Sequence, residues 1–297
     1  RRDMLTLAIA ERTYSSWSLR GYLLAEASGL PFRTRHAPLR TEAFAALAAD
    51  FAPARTVPML EIEGPDGPFR LWDSLAIAET LHETAHEAGL WPTAPAARAA
   101  ARALAAEMHG SFMALRRDCP MALESRYDGF EPSEDVRADV ARVETLWSWA
   151  RDTFAGGSGP WLFGDRFTAA DAFFAPVATR FVTYGLGGAE AQAYCEAVYA
   201  HPAFRRWRAM GVAEGVRVDR YEMDLPQRPR FGPPPRPARA VEGERAVNAA
   251  CPYSGRPVSP DSLAEIDGRV IGFCNPFCRD KTVADAEAWP KVQPLLA

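Results

Sequence analysis

Along the first part of the chain, hydrophobic positions switch repeatedly between a period of two and a period of three to four. LTLAIAE (5–11) is an apolar run of buried-strand length, and SWSLRGYLLAEASG (16–29) carries a helical stripe closed by Gly29. PFRTRHAPL (31–39) alternates as a strand does, and TEAFAALAADF (41–51) returns to helical spacing. TVPMLEI (56–62) and FRLW (69–72) flank GPDG, which predicts a hairpin. DSLAIAETLHETAHEAG (73–89) predicts a helix with Asp73 or Ser74 as its N-cap. The predicted order is β-α-β-α-β-β-α, and its closing hairpin sets it apart from a plain doubly wound sheet.

The pattern then changes character three times. Residues 95–222 are helical in pattern, Ala- and Trp-rich, with few strand signals. Within them FTAADAFFAPVATRF (167–181) places Thr168 three residues before Asp171, which predicts a capping box, with Phe167 as a hydrophobic staple. Residues 224–248 carry six prolines and few large apolar residues, so they predict an extended linker or a strap along the surface. Residues 249–297 form a short tail module. The expected division is therefore 4–86, 95–222, linker 224–248 and tail 249–297.

Composition adds limits. The 297 residues are 48% hydrophobic and 24% charged, as globular chains with a sizeable core are. A net charge of −4 argues against a nucleic-acid partner, and no apolar run approaches membrane-spanning length. No signal-peptide pattern precedes residue 30, and the native start is expected at Met4 or just upstream. Three of the five cysteines fall in the last 50 residues; without an export signal, free thiols or a metal site fit better than disulfides. The expected location is cytoplasmic.

Candidate chemistry sits in three places in the first part. Ser15 and Ser16 stand where the first strand gives way to the first helix, and there hydroxyls, free N–H groups and the helix dipole meet. A sulfur at that spot would be stabilised as a thiolate. The site has no cysteine of its own, so the ligand must bring the thiol. The same serines also suit plain N-capping. Val57-Pro58 reads as a turn into a strand, and Asp73-Ser74 as a helix cap that can also serve a ligand. His82 and His86 share a helix face at i, i+4 spacing, but the helix end is otherwise polar and a solvated face is the better reading.

TYSSWSLR (13–20), TVPML (56–60), WDSLAI (72–77) and FTAAD (167–171), in this order, resemble the cytosolic glutathione transferase family over residues 4 to about 222. The resemblance implies a thioredoxin-like (α/β) domain followed by an all-α domain, a homodimer, and glutathione with a small electrophile as partners. SSWS is similar to the serine-type, zeta-like SSCS pattern, with Trp17 in place of the cysteine. That implies Ser15 and Ser16 as the catalytic pair and raises maleylacetoacetate isomerisation as one specific activity. Pro58 would be cis, with Val57 pairing its backbone to the cysteinyl unit of glutathione in the manner of an added strand. Ser74 and the helix N-terminus would hold the γ-glutamyl carboxylate, and Asp73 its ammonium group. Trp17, Arg55 and Thr56 are further contact candidates. For the second substrate's walls the candidates are Tyr14, Trp17, Met108, Phe112 and Arg116, although such residues at helical spacing more often belong to a core.

In the tail, Cys251 is followed by 22 residues, then Cys274, three residues, and Cys278. EIDGRVIGF between them predicts two short strands around Asp267-Gly268, which would let the cysteines converge. Thiolates bind Zn²⁺ or Cu(I), and a metal would replace a core too small to build from this stretch alone. With CPYSG, the Phe273-Cys274 pair and the trailing AEAWP, the pattern resembles the TRASH and YHS metal-binding modules. Ser254 stands where a CxxC version would supply a fourth thiolate, leaving Asp261, another side chain, water or nothing to complete the set. The leading expectation is a glutathione transferase-like enzyme; the alternative is a non-catalytic protein that binds glutathione and senses metal on the same scaffold.

Overall fold

The computed structural model describes residues 4–297. Its opening elements are β1 (Leu5–Ile9), α1 (Ser16–Ser28), β2 (Phe32–His36), α2 (Glu42–Asp50), β3 (Met59–Gly64), β4 (Gly67–Trp72) and α3 (Ser74–Thr84), in the predicted order. The sheet runs β2-β1-β3-β4, with β2 parallel to β1 and the other neighbours antiparallel. Every residue of β1 is buried, as a central strand covered on both faces requires. GPDG closes β3 onto β4 with Gly64 paired to Gly67. Gly29 ends α1 in the left-handed conformation at φ 67°, which glycine adopts without a side-chain clash.

The helical part comprises α4 (Pro95–Gly110), α5 (Met113–Asp118), α6 (Glu134–Ala150), α7 (Ala169–Tyr184) and α8 (Ala189–Ala200). All of α7 is buried. The predicted capping box at its start is present, with the Asp171 carboxylate accepting the Thr168 N–H at 2.8 Å. Phe167 packs edge-on against Trp161, at 5.0 Å between rings.

The chain divides into two compact units, the first running through Val198 and taking in Val218–Phe231, the second Tyr199–Arg217 with Gly232–Ala297. In the second, α9 (Pro202–Glu214) packs along α10 (Pro276–Ala284). The antiparallel sheet β5-β6-β7 is built from Ala238–Val241, Leu263–Ile266 and Arg269–Gly272. Asp267 and Gly268 join β6 to β7 at φ 51° and 76°, the two positive values a type I′ hairpin needs.

Two expectations change here. The stretch read as an extended linker or strap, 224–248, includes a strand, because Ala238–Val241 pairs along β6 at the edge of the sheet. Prolines precede this segment but do not interrupt it, so its amides are free to join the ladder. The tail also has a core of its own, since Leu263, Ile266, Ile271, Phe273, Trp289 and Val292 are buried. Arg205 on α9 clamps it, donating to Asp285 at 2.7 and 2.8 Å. Among the described residues no helix is long and apolar enough to cross a membrane.

Candidate functional site

The turn from β1 into α1 is built on hydroxyls. Ser15 is the N-cap; its Oγ accepts the Ser18 N–H at 3.3 Å and donates to Ser18 Oγ at 2.8 Å. The Ala10 N–H on the incoming chain donates to the same Ser18 oxygen at 3.0 Å. Ser18 is fully buried, so this chain of donors is closed to water on its inner side. No acidic residue lies in the first turn of α1, which leaves the positive end of the helix dipole uncancelled at Ser15 and Ser16.

The Val57–Pro58 peptide bond is cis, as the family resemblance implied. Pro58 lies against α1 at Gly21, where an added Cβ would sit 2.6 Å from the proline Cβ. A helix residue with any side chain would push this loop away. Gly21→Ala should therefore cost about 1–3 kcal/mol of stability, measured by denaturant unfolding. An unchanged midpoint would mean that the Pro58 loop yields freely.

Asp73 caps α3, its carboxylate accepting the Leu75 N–H at 2.8 Å. Its φ of 75° is rare for a residue with a side chain, and such strained positions cluster where ligands bind. The second Asp73 oxygen lies 3.1 Å from His109 Nε2, and His109 Nδ1 lies 3.5 Å from Ser74 Oγ. Burial holds His109 below the usual imidazole range; the charge of Asp73 pulls it upward, and Arg20 and Arg116 push it down.

These three turns open onto one cavity of about 380 Å³. Ser15, Trp17, Arg55, Thr56, Val57, Pro58, Asp73 and Ser74 all line it, together with Leu39, Phe44 and His109. Ser16 faces elsewhere, into a neighbouring cavity of about 220 Å³ with Tyr14, Arg116 and Arg180 among its walls. Ser15, Trp17 and Leu39 belong to both. The wall candidates Met108 and Phe112 are not among those lining either cavity; both are buried, at 1% and 4% exposure, Met108 in the last turn of α4 and Phe112 at the cap of α5.

Trp17 gathers cations. The Arg20 and Arg116 guanidiniums lie 4.3 and 5.1 Å from its ring centroid, and His109 meets it edge-on at 5.3 Å. Burial and the neighbouring Arg116 lower Arg180 to about 10, and the same two causes lower Arg20. Residues that sequence reasoning missed are thus Ser18, Arg20, His109 and Arg180. Arg20 and Arg180 did leave a signal, since each interrupts a helix that is otherwise buried around it. His82 and His86 rest ring to ring at 5.3 Å away from this site.

In the second unit, the sulfurs of Cys251, Cys274 and Cys278 lie within 4.8 Å of one another. Three sulfurs about 2.3 Å from one ion would be roughly 4 Å apart, so the set needs little closure. Asn275 caps α10 by accepting the Cys278 N–H at 2.9 Å and also donates to Cys274 Sγ at 3.2 Å. Ser254 Oγ donates to the same sulfur at 3.2 Å, so it supports a ligand rather than adding one. Asp261 is turned away, accepting from Ser259 and Ser262 at 2.6 and 2.9 Å. Burial pushes Cys251 up, but backbone N–H groups of Ser254, Cys274 and Tyr253 outweigh it and hold the thiol at about 7. Burial pushes the Cys119 thiol up to about 12 and raises Cys195 as well, so neither is a reactive thiolate.

Comparison with known proteins matches residues 14–84 to the glutathione S-transferase N-terminal domain and residues 133–209 to the glutathione S-transferase C-terminal domain. A glutathione transferase homolog from Burkholderia GL BGR1, solved with bound glutathione, is 25% identical at a TM-score of 0.50, over 70% of this chain and 97% of that one. A maleylacetoacetate isomerase from Anaeromyxobacter dehalogenans 2CP-1, solved with glutathione in its active site, is 26% identical at a TM-score of 0.50. That match covers 75% of this chain and 98% of the isomerase. The 2,5-dichlorohydroquinone reductive dechlorinase of Sphingobium indicum is 32% identical over 78 residues, which is 24% of this chain and only 22% of the dechlorinase. The two domain types, in order along one chain and with these structural likenesses, support placing the protein in the glutathione S-transferase family.

Proposed function

We propose that the protein is a glutathione-dependent enzyme in which Ser15 stabilises the thiolate of bound glutathione for attack on a small electrophile. The observation that carries this reading is the single cavity that collects Ser15, Val57, Pro58, Asp73 and Ser74 from three separate turns. Glutathione lies across it with its cysteinyl backbone on Val57, its γ-glutamyl carboxylate at Ser74 and the start of α3, and its ammonium group at Asp73. His109 steadies Asp73 from the other side. Arg55 and Thr56 line the same wall and contact the tripeptide.

Of the two serines, Ser15 is the better thiolate donor, because it borders both cavities while Ser16 borders only the smaller. Hydroxyls can exchange donor and acceptor roles across the Ser15–Ser18 contact. When sulfur binds, Ser18 donates to Ser15 and Ser15 donates to the sulfur, with the Ala10 N–H holding Ser18 in place. The sulfur then attacks as a thiolate and its proton leaves to solvent. The test is calorimetric binding of glutathione together with turnover of 1-chloro-2,4-dinitrobenzene. Binding with thiol-dependent release of chloride is expected; binding with no turnover of any electrophile would leave only the sensing alternative.

The three tail cysteines are proposed as a thiolate site for Zn²⁺ or Cu(I), on the strength of their mutual approach. The ion would tie the loop after β7 and the first turn of α10 to the Cys251 turn. Purified protein should carry about one metal ion per chain, and a Cys274→Ser/Cys278→Ser variant should carry none, by elemental analysis. A content near zero in both would remove the metal site.

A further inference from the structure

We propose that the smaller cavity is an anion subsite and that the electrophile is a small organic acid whose carboxylate is held by Arg116 and Arg180. This deepens the glutathione reading and rests on Ser15 as the thiolate position. The two arginines come from different helices, α5 and α7, and converge on one cavity whose rim includes Ser15.

What fixes these side chains is neutral. Arg180 donates to the carbonyls of Cys119 and Pro176 at 2.9 and 3.1 Å. Arg116 donates to those of Ser111 and His109 at 2.9 and 3.2 Å, and to that of Met108. Carbonyls orient a guanidinium without cancelling its charge. Asp139 offsets Arg116 only in part, and its carboxylate is already engaged by the Leu115 N–H at 2.9 Å.

A third cation deepens the imbalance. Arg20 is 1% exposed, and its Nε and Nη1 are bonded to no group among the described residues. It rests on Trp17, the residue that also carries Arg116. Asp73 is the carboxylate whose charge reaches Arg20, and it is already shared with Leu75 and His109. Gathering three guanidiniums in a low-dielectric region costs stability that carbonyl and ring contacts return only partly. An anion in the cavity compensates it, and a pair of planar forks matches a carboxylate well. Leu39, Pro120 and Met121 supply apolar wall for the rest of the molecule, which an inorganic ion would leave unused. The volume, about 220 Å³, is below that of most drug-sized sites and suits a small acid.

Two glutathione conjugates that differ only in this charge provide the test: S-(4-carboxy-2-nitrophenyl)glutathione and its neutral 4-carbamoyl counterpart. Calorimetry on the full-length protein should show the acid bound roughly tenfold more tightly or better. Arg116→Gln and Arg180→Gln should each bring the ratio toward one while the amide keeps its affinity, which also reports that the variant is folded. Arg180→Lys should retain part of the preference. Equal affinities in the parent protein, or a preference unchanged in both glutamine variants, would overturn the subsite alone. If neither glutathione nor either conjugate binds, the glutathione reading falls and takes this proposal with it.

Discussion

Ser15→Ala should lower the glutathione-dependent rate by about 10²–10³-fold while leaving glutathione affinity nearly unchanged, the pattern for removing one preorganised donor to developing negative charge. The backbone pairing proposed at Val57 and the carboxylate site proposed at Ser74 do not involve this hydroxyl, so the tripeptide should stay seated. Ser15 is also the N-cap of α1, and losing that cap costs about 1 kcal/mol of stability, which unfolding curves will register separately. Ser16→Ala should cost far less rate, because that side chain borders only the neighbouring cavity. Ser18→Ala should fall between the two, since it removes the group that orients Ser15 without touching the sulfur itself. If Ser16→Ala has the larger effect, the assignment between the serines is reversed.

Asp171→Ala should be the most damaging single change to stability, at roughly 3–5 kcal/mol. Its carboxylate accepts four hydrogen bonds, from the N–H groups of Leu162 and Thr168 and the hydroxyls of Thr168 and Tyr194, at 2.8–3.1 Å. The residue has no exposed surface, so all four donors would be left without partners in a dry site. Tyr194 also packs on Trp147 at 4.5 Å, which couples the cap to the aromatic core of the helical part. Asp171→Asn keeps the shape and one acceptor and should cost less. A denaturant midpoint for the alanine variant close to that of the parent would show that the start of α7 contributes little to the fold.

Much of this was legible in the sequence where local chemistry decides the structure. Thr168 and Asp171 announced the capping box, Gly29 the end of α1, and Asp267-Gly268 the tail hairpin, because each depends on neighbours a few residues away. The approach of Cys251 to Cys274 and Cys278 followed from that hairpin. The convergence of Arg116 and Arg180 with Trp17 was not legible, for no local pattern records which helices meet. Nothing in the local sequence marks Gly21 as the residue against which Pro58 presses. His109 was not legible because its partner, Asp73, lies on another element, at the start of α3. The strand at Ala238–Val241 was hidden by the prolines before it, which speak for an extended chain and say nothing of whether β6 is there to pair with.

The central claim is that this site ionises a thiol it does not own. Ultraviolet titration of bound glutathione, following thiolate absorbance in the parent protein and in Ser15→Ala, tests it most directly. The account predicts that the bound thiol titrates well below the free value of about 8.5 in the parent and returns toward that value in the variant. A bound thiol that titrates at the free value in both proteins would contradict it.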